Sequence, residues 1–235
     1  MATRFAPVQR KAASRERESG NMSTVQMPSE QRFLLRCVDW SRYKAVANSL
    51  GERSVRLTYD GRDLEIMTVS RLHEWINKIL GRFVETLTEE LNIPLSSAGS
   101  TTFDREDVNH ALEPDQCYYL GNEARVRNKD DIDLTTDPPP DLAIEIEVSR
   151  SAINRLAIYA AFRVSEVWRC DGETIKSYHL GADGEYVESD KSLHFPFLPL
   201  QELVIFLQRR TQMSETELVR SFRTWVREQA AKGWK

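Results

Sequence analysis

The chain has 235 residues, 40% of them hydrophobic and 29% charged, with a formal net charge of −4. That is enough for one well-packed domain with tails, and the negative balance excludes a broad basic footprint, so any contact with phosphates has to be local. There is no apolar run of membrane-span length and no apolar secretory core at the N-terminus; three dispersed cysteines without CxxC spacing exclude a disulfide framework and a zinc site, and point to a reducing, cytoplasmic setting.

Residues 1–29 hold Arg4, Arg10, Lys11, Arg15 and Arg17 among small and polar residues. This composition reads as a disordered basic tail, with Met22 and Met27 as alternative starts. A domain is expected over residues 30–208, followed by a C-terminal amphipathic helix over 209–235. Asp39 caps a helix from Trp40 to about Leu50, closed by Gly51. Val55–Tyr59 and Asp63–Met67 alternate as strands around an Asp60-Gly61 hairpin turn.

Ser70 caps the longest helix, Arg71 to about Asn92, with a buried stripe through Leu72, Ile76, Ile79, Leu80, Phe83, Leu87 and Leu91. Gly81 within it marks close packing. His73 and Glu74 stand in its first turn beside the stripe. Glu74 there complements the helix dipole, and His73 reads as a satisfied or surface polar residue unless it faces a site. Pro94 ends the helix, Leu95–Phe103 reads as a strand, and Cys117–Leu120 as another with Asp115 just before it.

Pro138-Pro139-Pro140 then aims the chain into Asp141-Leu142-Ala143-Ile144-Glu145-Ile146-Glu147-Val148. Here Leu142, Ile144, Ile146 and Val148 share one face at period two, and Asp141, Ala143, Glu145 and Glu147 the other. Carboxylates two residues apart on one face are about 7 Å apart and repel unless a cation or donor lies near. Oxygen-only groups of this kind suit Mg²⁺ or Mn²⁺; an edge strand with a solvated acidic face is the other reading.

After the strand, Ser149 or Ser151 caps a helix to about Arg163, on which Arg155 and Tyr159 share a face one turn apart. Glu166–Cys170 and Thr174–Leu180 are strands joined at Asp171-Gly172, and Glu185–Glu188 pairs beyond the next turn. Residues 195–200 wrap the sheet, and 201–208 form a short helix. Ser214 and Glu217 make a capping box for the last helix, whose stripe is Leu218, Phe222, Trp225 and Val226, with Arg220, Arg223 and Arg227 on a solvated face.

Alternating strands and helices indicate an α/β fold around a mixed sheet. Pro114-Asp115 before one strand and Glu145-Ile146-Glu147 on the next follow the acidic pattern of PD-(D/E)XK nucleases. With the proline-led stretch 138–145, Arg155 and Tyr159 on the following helix, Ser165-Glu166-Val167-Trp168, the early hairpin and His73, the chain resembles the Uma2 family of endonucleases over residues 38–205. That resemblance implies a restriction-endonuclease-like fold, with a mixed central β-sheet flanked by helices. It implies DNA as partner, no membrane, Mg²⁺ with Mn²⁺ as the alternative ion, and metal-dependent phosphodiester cleavage. By position, Asp115 and Glu145 are the metal carboxylates. Glu147 stands where a lysine usually does, as a third ligand or the base that takes the water's proton. Arg155 replaces the family's lysine; it cannot shuttle a proton but can offset charge on a phosphate. His73, Glu74 and Tyr159 are accessory candidates. Asp141, about 13 Å along the strand from Glu145, reads as a strand-start residue. A homodimer is a further expectation, because cutting two strands needs two sites. A non-catalytic nucleic-acid- or protein-binding descendant of the fold, and a phosphoesterase acting on small substrates, are the rival readings.

Overall fold

The computed structural model describes residues 30–51, 55–99 and 101–234; the expectations for residues 1–29 lie outside them. In chain order the elements are β1 (Gln31–Leu35), α1 (Trp40–Leu50), β2 (Val55–Tyr59), β3 (Leu64–Thr68), α2 (Arg71–Leu91), β4 (Ser96–Ser97), β5 (Phe103–Arg105), β6 (His110–Leu112) and β7 (Gln116–Tyr119). There follow α3 (Glu123–Val126), β8 (Leu142–Ile146), α4 (Arg155–Phe162), β9 (Glu166–Cys170), β10 (Ile175–Leu180), β11 (Tyr186–Ser189), α5 (Leu200–Gln208) and α6 (Glu215–Ala231). Among the described residues no helix is long and apolar enough to cross a membrane.

The architecture is mixed α/β and fits the restriction-endonuclease-like expectation, with two sheets rather than one. The six-stranded sheet runs β11-β10-β9-β8-β7-β4, and the five-stranded sheet β1-β3-β2-β6-β5. All described pairings are antiparallel except β8 with β9. The acidic strand is therefore central. All five residues of β8 are buried, which removes the solvated-edge reading.

Its two faces divide as the alternation predicts. Leu142, Ile144 and Ile146 join a core with α2, α5 and α6, where Phe83, Phe206 and Phe222 pack ring to ring. Each side chain buried this completely contributes roughly 1.5–3 kcal/mol. Ala143 faces the opposite cluster with Ile158, Phe162 and Val167. The same face, further along β8, carries Glu145.

Several local expectations change. Leu95–Phe103 is not one strand: β4 pairs with β7 and β5 with β6, so the chain crosses between sheets there. A strand before residue 38, β1, was not foreseen; its five residues do not alternate cleanly in burial. The helix after the acidic strand begins at Arg155, not beside Ser149 or Ser151. Those serines are engaged elsewhere, Ser149 Oγ donating to Glu30 and Ser151 Oγ to Glu65. On α6 the arginine face is not free: Arg223 pairs with Glu89 and Glu90, and Arg227 with Glu90, on α2. The Ser70 cap, the Asp39 cap and the Ser214–Glu217 capping box form as expected.

Candidate functional site

Pro114 leads the chain into β7, and the β7–β8 register pairs Gln116 with Ile144. Continued by one residue, that ladder sets Asp115 beside Glu145. The Asp115 carboxylate is clamped: Oδ2 accepts the Ile146 N–H at 2.8 Å and Oδ1 accepts from His73 Nε2 at 2.9 Å. His73, wholly buried in the first turn of α2, uses its other nitrogen on Glu30 Oε1 at 3.0 Å. Glu30 in turn accepts from Ser149. His73 is thus a buried, fully satisfied residue and not a surface one; it links the carboxylate of Asp115 to a second buried acid.

Glu145 is held from the other side. Arg155, the first residue of α4, donates through Nη2 to Glu145 Oε1 at 2.6 Å, and the Tyr159 hydroxyl, one turn on, donates to the same oxygen. Arg155 also donates to the Thr58 hydroxyl and to the Glu113 carbonyl. Its terminal nitrogens are therefore engaged within the protein. Only its Nε is buried without a partner, a condition shared with the Nε of Arg56.

These groups open onto a cavity of about 270 Å³. Its wall carries five arginines (Arg32, Arg56, Arg150, Arg155, Arg169) and the carboxylates of Asp115, Glu145 and Glu147. Arg56 lies 3.6–3.9 Å from Glu74, Glu113 and Asp115 without a hydrogen bond to any of them. Glu147 does share the cavity, but its carboxylate is paired with Arg169. Glu74 is exposed and meets Arg56 at 3.9 Å from outside the wall. Asp141 accepts three hydrogen bonds from Leu120 and Asn122 and fixes the turn after β7, in keeping with its strand-start reading.

The environment pushes the two central carboxyls apart. Burial raises both, but at Asp115 the His73 hydrogen bond and charge, with Arg155 and the Ile146 N–H, outweigh it and hold the group below its ordinary value. At Glu145 burial dominates, Arg155 offsets only part, and the Asp115 charge adds to the rise. For His73 burial acts downward, yet the hydrogen bonds and charges of Asp115 and Glu30 prevail and bring it to about 9.

As a donor set for a metal, Asp115 and Glu145 are a pair rather than a cage: among the described residues no three His, Cys, Asp or Glu side chains are grouped to hold an ion. Glu147 is paired with Arg169 instead. Mg²⁺ asks for only one or two carboxylates, the rest being water and substrate phosphate. Both groups are oxygen donors, and the bonds to Glu145 fall on Oε1, leaving Oε2 without a donor among the described residues. The pair fits Mg²⁺ or Mn²⁺.

Arg32, Arg56, Arg169 and Glu30 were not foreseen. Arg169 had a readable signal, since a parallel β8–β9 pair puts it beside Glu145. Glu30 and Arg32 had none, because they come from the unforeseen strand region. Residues 40–212 match the sequence profile of the Uma2 family, described as "Putative restriction endonuclease". No curated protein matches the chain.

Proposed function

The chain belongs to the Uma2 family, and on that premise we propose that it is a metal-dependent endonuclease that hydrolyses DNA phosphodiester bonds. The observation that carries this is the buried Asp115–Glu145 pair in a cavity walled by five arginines, in a chain whose net charge is −4. A pocket so charged selects a polyanion locally, and the acid pair within it has no use in phosphate binding alone, where carboxylates repel the ligand.

Asp115 and Glu145 would hold Mg²⁺ or Mn²⁺; such an ion, when bound, acidifies a water and offsets charge on the phosphoryl oxygen. The chain's own residues do the rest. His73 and the Ile146 N–H fix the orientation of Asp115 and keep it ionised. Arg155 and Tyr159 fix Glu145. Arg56 and Arg150, on the cavity wall, offer positive charge to a phosphate oxygen whose charge grows as the bond breaks. Glu147 is the proton acceptor for the attacking water, because its pair with Arg169 is half-exposed and such pairs exchange easily. One such site is present among the described residues, so cutting both strands of a duplex takes two copies or two encounters.

A second reading is supported by the clamps themselves: His73 and Arg155 already compensate both carboxylates, as a metal-free binding descendant would require. Calorimetric titration with Mn²⁺ separates the two. The nuclease reading expects one ion per chain, lost in Asp115→Asn; the binding reading expects no heat in either protein.

A further inference from the structure

We infer that the strand entering the Asp115–Glu145 cavity continues, unpaired, into a second recess on the same sheet face, which holds its neighbouring nucleotide. The identity of that strand as nucleic acid rests on the nuclease reading; the recess rests on its own geometry.

The registers pair Glu145 with Arg169 and Arg169 with Lys176. Laterally paired residues share a face, so these three side chains form a row across β8, β9 and β10. Two strand spacings carry the row about 10 Å from Glu145 to Lys176. Tyr178 shares the face of Lys176 at period two. A recess of about 470 Å³ lies over this row, bounded among others by Arg150, Arg169, Lys176 and Tyr178. It shares Glu147, Arg150 and Arg169 with the first cavity, so the two adjoin. Its size falls in the range of small-ligand sites, with room for a nucleotide.

The recess has the chemistry of a nucleotide subsite. Arg150 is exposed at the junction and has no carboxylate partner among the described residues. Arg169 and Lys176 are held only by half-exposed pairs with Glu147 and Glu188, which contribute little and can give up a carboxylate for a phosphate. The other acid of the recess, Asp171, turns its carboxylate into its own turn, accepting from the Glu173 and Thr174 N–H groups. The Arg169 guanidinium stands 5.8 Å from the centroid of the Tyr178 ring. An aromatic ring with a cation beside it, next to a basic track, is the usual platform for a base of a single strand, tolerant of sequence.

The test is binding of a fluorescein-labelled single-stranded oligodeoxynucleotide, followed by anisotropy in EDTA across a salt series, for wild type, Lys176→Ala and Lys176→Glu. Lys176 is exposed, and the melting transition of each variant checks that it folds. Lys176→Ala is expected to bind several-fold more weakly, with the slope of log K against log salt reduced by about 0.7, and Lys176→Glu more weakly still. Hydrolysis of bis(p-nitrophenyl) phosphate by wild type in Mn²⁺ tests the nuclease reading separately. Unchanged affinity and slope in both variants, no binding by wild type at low salt, or tighter binding of the matching duplex would overturn the subsite. If the slope falls but wild type does not hydrolyse this diester, the nuclease reading fails and the subsite stands. If it is hydrolysed and the slope is unchanged, the reverse holds.

Discussion

His73 carries the clearest pH signature among the residues of the site. Its imidazolium is buried between Asp115 and Glu30, and its pKa of about 9 lies above the ordinary 6.5. A raised histidine stabilises the fold fully below the unfolded value and loses that contribution as pH rises through the folded one. Thermal stability of the metal-free protein is therefore expected to fall between pH 6.5 and about 9, by on the order of 3 kcal/mol at most. In His73→Asn this alkaline limb flattens, whatever the variant's overall stability; melting temperature against pH is the measurement, and an equally steep limb in the variant contradicts the assignment. Arg155 carries the other test at this scale. Its removal leaves Glu145 buried beside Asp115 with no cation, and Arg155→Ala is expected to cost about 3–5 kcal/mol in urea unfolding. Adding Glu145→Gln should recover part of that loss, since the two residues are in contact and their effects do not add; strictly additive losses would mean that the pair is not coupled.

The elements show which features a sequence can announce. Asp115, Glu145, Arg155 and Tyr159 were legible because each belongs to a short, strongly patterned piece: a proline-led strand start, an alternating strand, the first turns of one helix. Arg56, Glu30 and the Glu30–His73–Asp115 chain were not, since they depend on how the five-stranded sheet is set against the other, and no local spacing encodes that. Likewise, Ser149 and Ser151 are good caps in isolation, yet their hydroxyls go to Glu30 and Glu65, and the helix starts later. Gly81 was legible for a local reason: a Cβ there would lie 3.1 Å from the Tyr118 hydroxyl. Alanine at that position gains about 1 kcal/mol of helix propensity. However, Tyr118 is fully buried and cannot withdraw without disturbing the α2–β7 contact. Gly81→Ala is thus expected to lower stability by about 1 kcal/mol net, measured by urea denaturation; a gain in stability would show that the contact yields.

Over the whole molecule, charge is arranged against the average. A chain of net charge −4 gathers five arginines around three carboxylates in one cavity, and the same sheet face continues through Arg169 and Lys176. The C-terminal helix, by contrast, spends Arg223 and Arg227 on α2 and sends Leu218 and Phe222 into the main core; its arginines brace the fold. The fold thus gathers arginines at the acid pair, most of them in ion pairs there, with Arg150 lacking a carboxylate partner among the described residues. The direct test is nicking of supercoiled plasmid by purified protein in Mg²⁺ or in EDTA, wild type beside Glu145→Gln, with folding of the variant checked by its melting transition. The account predicts relaxed circles from wild type in Mg²⁺ only, and at least about a hundredfold less from the variant. Nicking that persists in EDTA, or that Glu145→Gln leaves at the wild-type rate, would contradict it.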